Sequence, residues 1–166
     1  MNEILHIRKA SVSDEIAVLT IFNQAIRERS NAHLEPLEHS AGAKWFERLI
    51  HDAQLLIVCE SEGLISGWGA LMPYRTGRGA LSKTLEITFY VHRMARRKGV
   101  ATGMIQYLEA EAKDRDILHM AAILLDDNEA SKTILKKHGY FEWGNFKDVV
   151  HFEDGDRGHL YMGKNL

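Results

Sequence analysis

Between residues 82 and 115 the hydrophobic pattern changes from a period of two to a period near 3.6, and a short basic segment separates the two patterns. The first pattern, over 82–92, predicts a strand whose side chains alternate between two faces. The apolar face carries Leu85, Ile87, Phe89 and Val91. The other face carries Thr84, Glu86, Thr88 and Tyr90. The second pattern predicts a helix from about Val100 to Arg115 with an inner stripe of Met104, Tyr107, Leu108 and Ala112.

Two further helices are predicted before this strand–turn–helix unit. Ser13 and Asp14 can cap the first, over 14–29, and its expected apolar face consists of Ile16, Leu19, Ile21, Phe22, Ala25 and Ile26. A polar, histidine-bearing loop over 30–39 leads to a second helix that begins near Ser40. This helix carries the large apolar residues Trp45, Phe46, Leu49 and Ile50.

The remaining apolar segments predict strands and one short helix. In chain order they are a strand over 3–9, strands over Gln54–Glu60 and Leu64–Met72, a strand over 118–125, a helix over 128–138, and closing strands over 140–147 and 158–164. The turn Ser61-Glu62-Gly63 predicts a hairpin between the second and third strands. The order βααβββαβαββ predicts an α/β sandwich built on a mixed sheet. A chain of 166 residues with no Pro/Gly-rich linker fits one domain, 1–166.

Composition and charge exclude several classes of protein. Cys59 is the only cysteine, so an internal disulfide and a cysteine-based zinc site are excluded. Its place in an apolar run predicts a small buried residue. No apolar run approaches the roughly 18 residues of a membrane helix, and charge interrupts the N-terminal segment where a signal peptide is apolar. A cytoplasmic location is expected. The formal net charge of −2 disfavours general nucleic-acid binding.

The turn before the helix has the properties of a phosphate-binding site. Basic residues at Arg96, Arg97 and Lys98 precede small ones at 99, 101 and 103. The first N–H groups of a helix have no partner within it, and the helix dipole favours an anion beside them. The segment is not a P-loop, because no Gly-Lys-Ser/Thr follows, and GxGxxG is absent. On these residues alone, a solvated basic turn before a helix is the alternative.

Two motifs resemble those of the GNAT acetyltransferases. Arg96-Arg97-Lys98-Gly99-Val100-Ala101 matches the pyrophosphate-binding pattern Arg/Gln-x-x-Gly-x-Gly/Ala of that superfamily. About 30 residues later, Asn128-Glu129-Ala130-Ser131 and Gly139-Tyr140-Phe141-Glu142-Trp143-Gly144 are similar to its Asn-x-x-Ser and Gly-Phe/Tyr-x-x-x-Gly segments. Asn128 is also explained as a helix cap. The two motifs in this order, after a long strand, make a strong joint match.

The resemblance implies a fold, a cofactor and a set of contacts. The GNAT fold has a mixed, mostly antiparallel central sheet flanked by helices, and the co-substrate is acetyl-CoA, with no metal. The cofactor contacts that the resemblance implies are Phe89, Tyr90, Val91, Arg97, Lys98, Gly99, Val100, Ala101, Thr102 and Asn128. An amine attacks the thioester directly, and a backbone N–H near Val91 stabilises the oxyanion. A homodimer is also implied.

Across nearly the whole chain the sequence is most similar to phosphinothricin-type acetyltransferases, whose relatives acetylate methionine sulfone and sulfoximine. The similar segments include Ile7-Arg8-Lys9-Ala10, Phe22-Asn23-Gln24-Ala25-Ile26, Trp45-Phe46, Gly67-Trp68-Gly69, Pro73-Tyr74-Arg75, Thr84-Leu85-Glu86 and Tyr90-Val91-His92. The chain departs from this subfamily at Leu81, where an aromatic residue is usual, and at Leu135, where His is usual. It departs again over 152–159. The resemblance therefore supports acetyl transfer and assigns no general acid.

Glu86 is the expected general base, acting through one or more waters. A carboxylate in mid-strand, on the face of Thr88 and Tyr90, is costly to bury without a purpose. An exposed or salt-bridged glutamate is the alternative. Arg75 and Thr88 are the expected substrate contacts, since a guanidinium can grip a substrate carboxylate. The histidines lack metal-ligand spacing, and His33 and His39 lie in a loop that can cover the substrate.

These features predict an N-acetyltransferase that acts on the primary amine of a small amino-acid-like molecule. Two alternatives stay open. The chain can acetylate a protein or peptide amine, or it can be a non-catalytic acyl-CoA-binding sensor, a reading that Leu135 favours. A nucleic-acid-binding module is disfavoured by the charge balance and by the lack of an aromatic stacking platform.

Overall fold

The computed structural model describes residues 5–166, and its helices and strands follow the predicted order βααβββαβαββ. The strands are β1 (His6–Lys9), β2 (Leu55–Ser61), β3 (Leu64–Pro73), β4 (Thr84–Val91), β5 (His119–Leu125), β6 (Phe141–Phe152) and β7 (Gly155–Asn165). The helices are α1 (Glu15–Arg27), α2 (His39–Asp52), α3 (Val100–Lys113) and α4 (Glu129–Lys137). Positions 3 and 4 of the predicted first strand lie outside the described residues.

All seven strands form one sheet in the order β1-β2-β3-β4-β5-β7-β6. Every neighbouring pair is antiparallel except β4 and β5, which run parallel. These two strands pair only over Thr84–Glu86 and His119–Ala121. Beyond Glu86 and Ala121 they diverge, and a cleft opens in the middle of the sheet. The mixed, mostly antiparallel sheet is as predicted.

The two faces of the sheet carry separate cores. On one face, Leu85 and Ile87 of β4 pack with Met104 and Leu108 of α3 and with Leu135 of α4. The other face packs against α1 and α2 through residues that include Val18, Phe22, Phe46, Trp68 and the partly buried Tyr90. The predicted division of β4 into two faces is therefore confirmed. Glu86 lies on the α1–α2 face with Thr88 and Tyr90, because side chains alternate along a strand.

The predicted apolar face of α1 was wrong at one position. Ile16 is 79% exposed, whereas Val18 is 0% exposed and had not been assigned. Val18, Ile21, Phe22 and Ala25 follow the i, i+3, i+4, i+7 spacing of one helix face, and Ile16 stands about 200° away from Val18 around the axis. The structure also confirms that Cys59 is buried.

The last two strands are longer than predicted. The sequence predicted strands over 140–147 and 158–164, but the hairpin continues to a tight turn, where Phe152 pairs with Gly155. Gly155 has a φ of 132°, a conformation that favours glycine. Most of β6 is exposed on both faces, so the hydrophobic alternation that marks a half-buried strand is missing there.

Asp14 ties β1 to the start of α1. It is 4% exposed, and its carboxylate accepts two hydrogen bonds from Arg8, at 2.8 and 2.9 Å, and one from the Ser11 N–H at 2.7 Å. It stands at the helix start as predicted but makes no side-chain cap bond to α1. The Arg8 hydrogen bonds lower the pKa of Asp14 from 3.8 to about 2.

We expect Asp14→Asn to lower the free energy of unfolding by about 2 kcal/mol at pH 7, the equivalent of that pKa shift. A carboxyl whose pKa is lowered by folding stabilises the fold above its unfolded pKa, and this stabilisation is lost as the pH falls through the folded pKa. The difference between the two proteins should therefore shrink below about pH 4. Urea melts at several pH values measure it. Asp52→Asn, at an exposed pair with His51, is the control, and equal losses in both variants would contradict the expectation.

Candidate active site

The cleft between β4 and β5 has a volume of about 1540 Å³ and collects most of the predicted site residues. Its lining includes Glu86, Thr88, Phe89, Tyr90, Val91, Arg97, Gly99, Val100, Ala101, Thr102 and Asn128. Lys98 is exposed and is not among the lining residues. Strand β4, the start of α3 and the start of α4 thus meet around one cavity.

The start of α3 lies open at the rim of this cleft. Gly99 is the N-cap residue with a φ of 85°, in the left-handed region that favours glycine, and because it has no side chain it cannot cap the helix. The first turn contains no acidic residue, and its first internal bond runs from the Gly103 N–H to the Gly99 carbonyl at 2.9 Å. The N–H groups before Gly103 therefore point out of the helix end, where an anion is favoured.

One positive charge of the basic turn is paired with an acidic residue of the protein itself. Arg96 forms an ion pair with Glu28, at the C-terminal end of α1. Arg97 lines the cleft and has a φ of 64°, an uncommon conformation for a residue with a side chain. Arg96 is thus engaged with α1, and the phosphate-binding character of the cleft rests mainly on the helix end and Arg97.

The backbone of β4 presents hydrogen-bonding groups to the cleft. The His92 N–H donates to the Ser66 carbonyl of β3 at 2.8 Å. Alternate residues of a strand direct their backbone groups to opposite edges. The N–H groups of Val91 and Phe89 therefore face the other edge, where β5 has diverged and supplies no partner. This orientation is the one that the predicted oxyanion contact requires.

Glu86 is half-buried and lines the cleft on the α1–α2 face of the sheet. Burial raises the pKa of its carboxyl, and the positive charge of Arg75 offsets part of this shift. Burial raises the pKa of Tyr90, two residues beyond Thr88, to about 12, and the nearby Asn31 side chain has a smaller, opposing effect, so Tyr90 is held as a neutral phenol. A carboxyl with a raised pKa is suited to accept a proton near neutral pH.

Other candidate residues fall at the edges of the site. Arg75 is exposed, stacks on Tyr74 at 5.4 Å, and lies outside the cleft lining, although its charge acts on Glu86. His33 lines the cleft, whereas His39 begins α2 and does not. His92, from the similar segment Tyr90-Val91-His92, accepts a hydrogen bond from the Met94 N–H at 3.4 Å in the turn before α3.

Asn128 caps α4 as predicted, and its cofactor contact stays a prediction. Its side-chain oxygen accepts the Ser131 N–H at 3.1 Å as the cap of α4, and its amide nitrogen donates to the Ser30 carbonyl at 3.3 Å. It also lines the cleft. Nearby, Leu135 is 1% exposed and lines the same cavity, so the position where the subfamily has histidine carries no ionisable group.

Two cleft residues had no role in the sequence-based site. Trp68, which is 1% exposed, and Asn31 each have a buried side-chain N–H without a hydrogen-bond partner. Trp68 belongs to the similar segment Gly67-Trp68-Gly69, and Asn31 lies in a loop without periodic pattern. Pairing across the sheet places Trp68 against Tyr90, with ring centroids 4.8 Å apart. The sequence around either residue does not indicate the contact between Trp68 and Tyr90.

Among residues 5–166, no three His, Cys, Asp or Glu side chains come together as metal ligands. No helix in the same part of the chain is long and apolar enough to cross a membrane.

Comparison with known proteins gives consistent matches. The family model described as "Acetyltransferase (GNAT) family" matches residues 20–140. The chain is similar to "Putative phosphinothricin acetyltransferase YwnH" of Bacillus subtilis, with 29% identity over 96% of this chain and 98% of that protein. It is also similar to the L-methionine sulfoximine/L-methionine sulfone acetyltransferase of Pseudomonas aeruginosa, with 26% identity over 86% of this chain and 84% of that protein.

Two solved structures share the fold over nearly their whole length. An N-acetyltransferase from Staphylococcus aureus Mu50 superposes with a TM-score of 0.89 at 26% identity, covering 98% of each chain. A ribosomal-protein-alanine N-acetyltransferase from Brucella melitensis superposes with a TM-score of 0.85 at 27% identity, covering 97% of this chain and 99% of that one. Together with the family match and the cleft, these similarities identify the chain: it belongs to the GNAT family and is an acetyl-CoA-dependent acetyltransferase.

Proposed function

We propose that the enzyme acetylates the primary amine of a small amino-acid-like molecule, of the phosphinothricin or methionine sulfone and sulfoximine type. The observation that carries the proposal is Glu86, a half-buried carboxyl with a raised pKa in the cleft where β4 and β5 separate. The similar proteins from Bacillus subtilis and Pseudomonas aeruginosa support this class of acceptor by their names.

The cleft residues fit acetyl-CoA. The open first turn of α3, from Gly99 to Thr102, would hold the diphosphate, and Arg97 would add a positive charge beside it. The edge of β4 with Phe89 and Val91 would pair with the amide groups of the pantetheine arm. When bound, the cofactor supplies an acetyl thioester that an amine can attack. Binding both reactants in one cleft removes much of the entropic barrier, about 7–11 kcal/mol for well-oriented groups.

Proton removal and charge stabilisation fall to β4. Glu86 would accept the proton of the incoming ammonium through one or more waters, on the face that it shares with Thr88 and Tyr90. The Val91 N–H, on the edge that faces the cleft, would donate to the oxygen that becomes negative during attack. Thr88 lines the cleft beside Glu86, and Arg75 lies near enough for its charge to act on that carboxyl. Both residues are proposed as acceptor contacts.

A peptide amine is the alternative acceptor, and the similarity to the Brucella melitensis enzyme keeps it open. A sensor that binds acetyl-CoA without turnover is the second alternative, since Leu135 supplies no acid. Release of free thiol from acetyl-CoA separates all three. The acceptor panel is methionine sulfone, methionine sulfoximine, phosphinothricin and a tripeptide that begins with alanine. We expect turnover with a small acceptor. Turnover with the tripeptide alone would overturn the proposal, and so would the absence of turnover with every amine in the panel.

A further inference from the structure

The loop that follows α1 meets the tip of the β6–β7 hairpin beside the cleft. Arg29, in this loop, places Nη1 2.5 Å from Oδ1 of Asp154. Its guanidinium also lies over the ring of Phe152, 5.7 Å from the ring centroid. Arg29 adopts a left-handed φ of 52°, which is uncommon for a residue with a side chain. One loop residue thus contacts two residues of the hairpin tip.

The hairpin tip is itself anchored to the turn between β5 and α4. Arg157 of β7 places Nε 2.7 Å from Asp127 and Nη2 3.1 Å from Asp154. Its guanidinium lies 5.5 Å from the centroid of the Phe152 ring. Phe152 therefore contacts both arginines, and the loop, the hairpin tip and the β5–α4 turn are joined. We call the contact of Arg29 with Phe152 and Asp154 the seam.

The loop that Arg29 holds forms a wall of the cleft. Ser30, Asn31 and His33 all line the cavity, and the Ser30 carbonyl accepts the Asn128 side chain at 3.3 Å. The Asn31 amide lies against the Tyr90 hydroxyl, whose pKa it affects. The position of Arg29 therefore sets how closely this wall approaches the face that carries Glu86.

The seam lies at the acceptor end of the cleft. Glu86 pairs with Ala121, and Leu125, four residues further along β5, pairs with His159 of β7. Paired residues direct side chains to one face of a sheet, and so do residues two or four apart in a strand. His159, which lines the cleft, is therefore on the same face as Glu86. The hairpin tip continues from this position and meets the loop across the cleft.

We propose that the seam closes the acceptor end of the cleft and makes the enzyme selective for small free amines over amines at the start of a peptide. This inference rests on the proposed function. A peptide acceptor must extend out of the cleft beyond its amine, and the seam, which lies next to the lining residue Ser30, would stand in its path. Residues 152–159 are also where the chain departs from the subfamily pattern. Because Arg29 and Asp154 are 43% and 51% exposed, their pair adds little to folding stability.

The test compares kcat/KM for methionine sulfone with kcat/KM for an alanine-initiated tripeptide, each measured by thiol release. We expect Arg29→Ala to shift this ratio toward the tripeptide by about fivefold, because it removes an ion pair and a cation–π contact. Asp154→Ala should shift it less. The double variant should shift it by less than the two single shifts combined, since both changes remove the ion pair between Arg29 and Asp154. The KM for acetyl-CoA should stay unchanged.

Asp156→Ala is the matched control. Like Asp154→Ala, it removes one negative charge from the β6–β7 hairpin. It breaks the pair of Asp156 with His151 at 2.7 Å, a contact between two residues of the hairpin itself. This control should keep the ratio of the unchanged enzyme. If Arg29→Ala fails to fold, Phe152→Leu replaces it, because leucine keeps the apolar bulk and removes the ring.

Three results would overturn the inference. One is an unchanged ratio in folded Arg29→Ala, or in Phe152→Leu where that variant replaces it. Another is an equal shift in Asp156→Ala. The third is a preference for the tripeptide in the enzyme without substitutions. That result would leave the acetyltransferase activity itself supported. An unchanged enzyme that releases thiol with neither acceptor would remove the proposed function and the inference with it.

Discussion

Replacing Glu86 by glutamine should lower kcat by about 10²–10⁴-fold, the contribution of a positioned general base. Glutamine keeps the size of the side chain and its place on the α1–α2 face, but it cannot accept the proton of the incoming ammonium. The change lies on the opposite face from the apolar core that packs against α3. Affinity for acetyl-CoA should therefore stay within about twofold, and titration calorimetry can measure it beside the turnover rate.

The role of Glu86 as a base also predicts the direction in which kcat/KM changes with pH. A base works only when deprotonated, so kcat/KM of the unchanged enzyme should rise with pH through the pKa of Glu86, which burial holds above the ordinary value of 4.5. This limb should vanish in Glu86→Gln. Because folding raises this pKa, the ionised form destabilises the fold above it, and the variant should melt no earlier at pH 8. Glu142→Gln, on exposed β6, is the control. Unchanged turnover in Glu86→Gln would remove Glu86 from the mechanism.

A negative charge in the first turn of α3 should weaken acetyl-CoA binding by about 100-fold in Thr102→Glu, since two like charges a few Å apart repel by several kcal/mol near a protein surface. Thr102 is exposed and lines the cleft, so the longer side chain meets no packed neighbour in the core. An acidic residue near a helix N-terminus stabilises the helix. We therefore expect an unchanged or higher melting temperature together with the lost affinity.

Two variants separate charge from shape in this experiment. Thr102→Gln has nearly the size of the glutamate and no charge, and it should bind acetyl-CoA almost normally. Gln106→Glu adds the same charge one turn further along α3, at an exposed position outside the cleft lining, and should weaken binding only slightly. Raising the salt concentration should recover part of the loss in Thr102→Glu. Equal affinities in Thr102→Glu and Thr102→Gln would show that no anion sits at this helix end.

The order of helices and strands and the split of β4 into two faces could be predicted because they follow from local hydrophobic period. Leu85 and Ile87 repeat at two residues, and Met104 and Leu108 repeat at four, so each segment indicates its own buried side. The long β6–β7 hairpin and the exposure of Ile16 could not be read in this way. The hairpin lacks an alternating hydrophobic pattern in β6, and Ile16 is an apolar residue on the exposed side of α1.

The candidate site divides in the same manner. The turn at Gly99 and the helix cap at Asn128 could be predicted because each requires particular residues at fixed spacing. The ion pair of Arg96 with Glu28 joins residues 68 positions apart. The approach of Asn31 to Tyr90 and the contact of Arg29 with Asp154 are also long-range. Contacts of this kind arise only when the sheet brings distant loops together, so a single sequence gives no local sign of them.

The most direct test of this account is a crystal structure of the enzyme with coenzyme A bound. We predict diphosphate oxygens at about 3 Å from the backbone nitrogens that open α3, between Gly99 and Thr102. The pantetheine arm should run between β4 and β5, toward Glu86. A complex in which the diphosphate binds elsewhere and leaves that helix end to solvent would contradict the account.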